Sequence, residues 1–161
     1  MESQVFIALG TNMGDRELNL LRAVAEIGRI AGTKITALSS FYDTEPVGEV
    51  PQENFLNAVL RLETELAPDR MLKELQHIEA GVFRRQRTVH KGPRPIDLDI
   101  LFYGSLVTDG PDLKIPHPEL HKRRFVLIPL AEIAPDFVHP LLHKKITDLL
   151  KIAPKARVSK L

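Results

Sequence analysis

Ile96-Asp97-Leu98-Asp99-Ile100-Leu101-Phe102-Tyr103 follows the turn Gly92-Pro93-Arg94-Pro95, and its reading decides the fold. Apolar and acidic residues alternate, which predicts a β-strand over 96–103. Ile96, Leu98, Ile100 and Phe102 are expected on one face, with Asp97 and Asp99 on the other. Two carboxylates side by side repel each other, and partial burial adds a desolvation cost unless a cation offsets it. Paired hard oxygens suit Mg²⁺, an ion commonly shared with substrate phosphates. A half-exposed edge strand with a solvated polar face satisfies the same alternation, so both readings stand on the spacing alone.

Working backward, residues 82–95 form a turn-rich basic loop. Arg84, Arg85, Arg87, His90, Lys91 and Arg94 all precede the acid pair. Arginine forks onto phosphate oxygens, so a nucleotide polyphosphate is one occupant for such a loop. A merely solvated basic loop is the other reading. Val5–Leu9 reads as a buried strand, and Gly10-Thr11-Asn12-Met13-Gly14-Asp15 as a turn in which Asn12 or Asp15 caps a helix. Leu18, Leu21, Val24, Ala25 and Gly28 then recur at helical spacing. Ile35–Tyr42 and Phe55–Glu65 read as strands on either side of a loop broken by Pro46, Gly48 and Pro51. A helix opening at Ala67-Pro68-Asp69 is expected to run to about Gly81.

Beyond the acidic strand, Gly104-Ser105 and Asp109-Gly110-Pro111 punctuate a short strand pair. Pro116-His117-Pro118 is a rigid turn, and Phe125–Ile133 is helical with Pro129 as a kink or a start. Ile146–Ile152 forms a last helix, followed by a basic tail over 155–160 that is expected to fray. The order β-α-β-β-α-β is the split βαβ arrangement. It predicts an α+β, ferredoxin-like fold, an antiparallel sheet with helices on one face, plus a C-terminal extension.

Composition narrows the function classes. The chain has 161 residues, consistent with one domain over 1–161 and no fused activity. Hydrophobic residues make up 43% and charged residues 27%, an ordinary globular balance. A net charge of +1 argues against a dedicated nucleic-acid binder. The absence of cysteine excludes thiol catalysis, thiolate metal sites and disulfides, and is compatible with a reducing compartment. No apolar run approaches the roughly 20 residues that span a bilayer, and no signal-peptide pattern opens the chain. The expectation is a cytoplasmic monomer with no membrane or nucleic-acid partner. The phosphate loop pattern Gly-x-x-x-x-Gly-Lys-Ser/Thr is missing, and so is any Ser/His/Asp arrangement of credible spacing.

With these residues in view, Gly92-Pro93-Arg94-Pro95-Ile96-Asp97-Leu98-Asp99-Ile100-Leu101 resembles the motif of the 6-hydroxymethyl-7,8-dihydropterin pyrophosphokinase family. Ala8–Asp15, Ser40–Gly48, Asn54–Ala58 and Ile115–Pro118 through Arg123-Arg124-Phe125 follow in that family's order, so the likeness covers residues 4 to about 142. The resemblance implies transfer of pyrophosphate from ATP to the hydroxymethyl oxygen of a reduced pterin, in folate synthesis, with two Mg²⁺ held by Asp97 and Asp99. It implies a pterin stacked between Phe55 and Phe125, its edge read by Asn57, with Thr44, Glu45, Pro46 and Val47 completing the pocket. The parity of Phe55 and Asn57 independently puts both on one strand face. The likeness assigns Gln76, Glu79, Ile100, His117 and Arg123 to the nucleotide. Arg85, Arg87 and Arg94 are assigned to phosphate, with Arg85 and Arg94 also catalytic.

Three departures stand out. Arg84 competes with Arg85 for one position, Lys91 replaces an aromatic that covers the closed site, and Pro118 replaces a tyrosine. Two rivals remain at this stage. One is a non-catalytic module that binds nucleotide or pterin, and the other is a kinase that transfers only the γ-phosphoryl group.

Overall fold

The structure is a computed structural model, and it describes residues 2–46, 51–84 and 94–161. Elements follow in the order β1 (Ser3–Thr11), α1 (Arg16–Gly28), β2 (Thr33–Leu38), β3 (Tyr42–Thr44), β4 (Phe55–Thr64), α2 (Pro68–His77), β5 (Asp97–Tyr103), β6 (Thr108–Asp109), β7 (Lys114–Ile115), α3 (Arg124–Ile133), α4 (Ile146–Ile152) and β8 (Val158–Lys160). A π-helical turn, Ile78–Val82, extends α2, and a 3₁₀ turn, Leu120–Lys122, precedes α3. None of the described helices is long and apolar enough to cross a membrane.

One antiparallel sheet carries the fold in the order β5-β1-β4-β3-β8, with β2 also paired to β4. The predicted second strand is therefore two pieces. The backbone leaves the ladder around Ser39-Ser40, where the Ser39 hydroxyl accepts the Val59 N–H and the Glu132 carboxylate takes the Ser40 N–H.

Alternating apolar residues on long strands fill both faces of the sheet. Val5, Ile7, Leu9, Ala58, Leu60 and Leu62 pack under Leu20, Ala23 and Ile27 of α1 and Met71 and Leu75 of α2. Phe6, Val59, Leu101 and Phe102 pack under Val126, Leu127 and Leu130 of α3 and Ile146 and Leu149 of α4. Helices on one face were expected. The C-terminal extension covers the other, because Phe6 and Phe102 present large apolar surface there that water would otherwise meet. Pro129 lies inside α3, where its missing N–H costs one helical hydrogen bond while the residue is buried.

The tail does not fray. Lys160, Ser159 and Val158 pair with Tyr42, Asp43 and Thr44, and the Leu161 N–H donates to the Phe41 carbonyl. Backbone hydrogen bonding to a waiting sheet edge outweighs the polarity of the tail's side chains.

Phe102 also departs from the predicted alternation. Ile7 pairs with Ile100 and Phe6 with Phe102, so Leu101 is an extra residue in β5. This bulge flips the parity beyond it and sends Phe102 to the α3/α4 face.

Candidate active site

The register places the site. Asn57 of β4 and Asp97 of β5 both stand opposite Gly10 of the intervening β1, which makes one row across three strands. The next row is Val59, Ala8, Asp99. All six share the face that α3 covers farther along, and Phe55 shares it by parity with Asn57. Two strand spacings, about 10 Å, separate the Asn57 and Asp97 backbones. The small residues Ala8 and Gly10 leave the space between them open.

That space is a cavity of about 970 Å³, including its open mouth. Its walls include Thr44, Glu45, Phe55, Asn57, Arg94, Asp97, Asp99, His117, Arg123 and Phe125. Asp97 and Asp99 stand on the β5 side, with Arg94 paired to Asp97, and Phe55 and Asn57 stand on the β4 side.

Asn57 is nearly buried, and its amide donates to the Thr44 hydroxyl at 2.5 Å. A methyl group on Gly10 would sit 2.6 Å from the Asn57 amide oxygen, so only glycine leaves the amide where it is. Arg94 donates to Asp97 Oδ2 at 2.9 Å, and this partly exposed ion pair orients one carboxylate of the two. Glu79, on the π-turn, accepts the Leu98 N–H at 2.9 Å and ties β5 to the end of α2.

The His117 N–H donates to the carbonyl of the bulge residue Leu101, which docks the Pro-His-Pro turn against β5. His117 Nδ1 accepts the Glu119 N–H, so a neutral ring carries its proton on Nε2. Burial is the main cause that lowers its pKa to about 4, helped by Arg123 and opposed by Asp97 and Glu119. Arg123 sits at the start of α3 with its guanidinium 5.8 Å from the centre of the Phe125 ring, a cation–π arrangement.

The cavity thus gathers Thr44, Glu45, Phe55, Asn57, Arg94, Asp97, Asp99, His117, Arg123 and Phe125 from the expected set. Three others lie elsewhere. Gln76 is exposed on α2, Glu79 is engaged with β5, and the Ile100 side chain belongs to the α1/α2 core. Pro46 follows Glu45 without lining the cavity. Val47, Arg85, Arg87 and Lys91 lie outside the described residues, whereas Arg84, the competitor of Arg85, is described and exposed.

Asn12 has a place that sequence reasoning missed. Asp15 caps α1 by accepting the Leu18 N–H, which frees Asn12 for another task. Buried Asn12 accepts the Arg94 N–H, donates to Gln52 Oε1 and the Glu53 carbonyl, and its own N–H donates to the Arg94 carbonyl. One side chain therefore joins the stems of both loops flanking the site. Only its three-dimensional partners reveal this, since a turn asparagine has the same sequence signature as a cap.

Comparison with known proteins agrees with this architecture. The family model for 7,8-dihydro-6-hydroxymethylpterin-pyrophosphokinase matches residues 6–135. A Haemophilus influenzae protein named 2-amino-4-hydroxy-6-hydroxymethyldihydropteridine pyrophosphokinase is 42% identical over 91% of this chain and 90% of its own length. The Bacillus subtilis protein of that name is 44% identical over 83% of this chain and 79% of its own. The Schizosaccharomyces pombe folic acid synthesis protein fol1 is 38% identical, and there the chain spans only 20% of a longer protein. Among solved structures, a Plasmodium falciparum HPPK-DHPS superposes with a TM-score of 0.76 at 17% identity, covering 94% of this chain and 45% of that one. The last likeness shows the fold, and the first three show the lineage. This chain belongs to the 7,8-dihydro-6-hydroxymethylpterin-pyrophosphokinase family.

Proposed function

We infer that this protein transfers the terminal pyrophosphoryl group of ATP to the hydroxymethyl oxygen of 6-hydroxymethyl-7,8-dihydropterin, a step of folate synthesis. The observation that carries the reading is the single cavity with Asn57, Phe55 and Phe125 at one side and Asp97, Asp99 and Arg94 at the other. A flat heterocycle between two rings would point its hydroxymethyl group along the Asn57–Gly10–Asp97 row. The pterin oxygen attacks the β-phosphorus, a new O–P bond forms, the bond to the α-phosphate oxygen breaks, and AMP leaves. The hydroxyl proton is released as the bond forms.

Asp97 and Asp99 fit magnesium. They are hard oxygen donors on one strand face, and among the described residues no cluster of three or more acidic, histidine or cysteine side chains competes as an all-protein cage. That suits an ion that keeps waters and takes substrate phosphate oxygens. Two such ions, when bound, would neutralise the charge of the triphosphate.

The chain's own residues do the rest. Arg94, already paired with Asp97, supplies a guanidinium where phosphate meets carboxylate. In the ligand-free protein His117 is neutral at pH 7, and its Nε2 proton would donate to a phosphate oxygen. Arg123 presents a fixed positive charge beside Phe125. Asn57, held by Thr44, reads the pterin edge, with Thr44 and Glu45 in the same wall. Gln76, Glu79 and Ile100 would serve the nucleotide from outside the cavity, Glu79 by bracing β5 and Ile100 through main-chain atoms. Arg85 and Arg87 belong to the phosphate loop in this reading. Positioning of this kind supplies most of the catalysis in phosphoryl-type transfer.

In this proposal residues 1–161 form one domain that acts in the cytoplasm as a monomer. Support for the single domain is that β8, at residues 158–160, joins the same sheet as β1. Product analysis tests the activity. Purified protein with ATP, Mg²⁺ and the reduced pterin should yield AMP and the pterin diphosphate in equal amounts. ADP would identify a γ-phosphoryl kinase, and binding with no turnover would identify a sensor module.

A further inference from the structure

Behind the pterin side of the cavity, on the opposite face of the sheet, Arg16 joins three segments. Its Nη1 donates to Asp43 Oδ2 at 3.0 Å and to the Asn54 carbonyl at 3.1 Å. The ring closes through the Asn54 side chain, whose amide donates to Asp43 Oδ1 at 2.9 Å. Arg16 is the first residue of α1, Asp43 is the centre of β3, and Asn54 directly precedes β4.

This position is wrong for an arginine if the helix alone mattered. The first turn of a helix carries the positive end of its dipole and favours acids. Asp15 and Glu17 obey that rule on either side, and Arg16 does not. Its compensation comes from Asp43, 27 positions away in sequence. The arginine's task therefore lies outside its own helix.

The residues it holds are one step removed from the substrate side. Asp43 precedes Thr44, the hydroxyl that accepts from Asn57. Asn54 precedes Phe55, and Thr44 and Phe55 stand directly opposite each other in the β3–β4 register. Strand alternation sends Asp43 to the α1 side and Thr44 to the cavity side, and none of Arg16, Asp43 and Asn54 lines the cavity. A shift of the Asp43–Asn54 stem would carry Thr44 and Phe55 with it.

We propose that Arg16, through its hydrogen-bonded ring with Asp43 and Asn54, is a positioning residue that sets the pterin-binding wall without touching substrate. The proposal rests on the pterin pyrophosphokinase reading above and adds to it a residue that determines pterin affinity from the far face of the sheet. Both side chains of the pair are 30% exposed, so the pair itself adds little to global stability. Its effect is local and falls on geometry.

The test is a cycle of Arg16→Met, Asp43→Asn and the double variant, against wild type. KM for pterin, KM for ATP, kcat and melting temperature are measured on each. Both single variants should raise KM for pterin about threefold to tenfold, with KM for ATP within twofold and melting shifted by only a few degrees. The double variant should be no worse than the worse single one, because both changes open the same ring. Unchanged pterin KM in the single variants overturns the proposal, as does an equal rise for ATP and pterin or simple additivity. If one variant does not fold, the other decides. The wild-type measurement judges the activity separately: a wild type that releases no AMP removes the enzymatic reading, and the ratio of calorimetric pterin affinities between variants and wild type still decides the role of Arg16.

Discussion

Gly10 and Asn57 show how much rests on a single close approach. The Asn57 amide occupies the place a Cβ at position 10 would need. Gly10→Ala should therefore weaken pterin binding more than tenfold while leaving ATP binding within twofold, by calorimetry with each ligand. Asn57→Ala should show the same selectivity, since it removes the amide but not the carboxylate side. Asp97→Ala should do the reverse to chemistry: turnover falls by orders of magnitude, about 4 kcal/mol or more in barrier, with the melting temperature nearly kept. Wild-type turnover in that variant would refute the site. His139 is a residue of another kind, 2% exposed, with Nδ1 accepting the N–H groups of Leu141 and Leu142 and its ring edge-on to Phe102. Burial, with smaller repulsion from His121 and His143, lowers its pKa from 6.5 to about 4. Above pH 6.5 the ring is neutral folded and unfolded, and its contribution is complete. As pH falls from 6.5 toward 4, the unfolded chain takes up a proton that the folded one refuses, so stability drops by on the order of 3 kcal/mol. His139→Asn keeps a similarly placed acceptor and cannot titrate there, so denaturant midpoints between pH 7 and pH 4 should fall less in that variant than in wild type.

Among the elements, β3 is the most dependent on its surroundings. It has three residues, and β4 and β8 hold its two edges. Tyr42 donates its hydroxyl to Glu132 of α3 at 2.5 Å, and Asp43 meets Arg16 of α1. Burial of Glu132 would by itself raise its pKa, but hydrogen bonds from Tyr42 and Ser40, with Lys160 nearby, outweigh it and lower the pKa. Burial and the same carboxylate push the Tyr42 hydroxyl up to about 12. Ending the chain after Lys155 would delete β8 and its ladder to β3. That loss should cost about 1–2 kcal/mol, or about 2–8 °C in melting temperature. Hydrogen exchange should then quicken at residues 42–44 before it does in β1, whereas uniform acceleration would show that β8 does not act locally.

Across the whole molecule, the two cores divide the labour. The α1/α2 side is ordinary packing under an alternating sheet. On the α3/α4 side, apolar residues pack along most of the face and give way at one end to Ala8, Gly10, Asn57, Asp97 and Asp99. A cavity forms where α3 begins and the small residues Ala8 and Gly10 line β1, because nothing there is large enough to fill the space. Arg123, the N-cap of α3, and Phe125, in its first turn, line that cavity.

Some of this was legible from residue order alone. Alternation in 97–100 placed both carboxylates on one face, and parity placed Phe55 beside Asn57, because strand periodicity is local. The helices α1 and α4 and the order of strands were equally readable. The bulge at Leu101 was not, since it depends on how β5 registers against β1, and with it went the face of Phe102. The second helical layer, the capture of residues 158–160 by β3, and the work of Asn12 and Arg16 were also hidden. Each of these depends on a partner far along the chain. The local pattern of apolar and polar residues determined which way side chains face. Only the tertiary structure decided which faces, edges and polar groups would meet, because a buried hydrogen bond or an edge pairing is worth something only once both partners have been brought together.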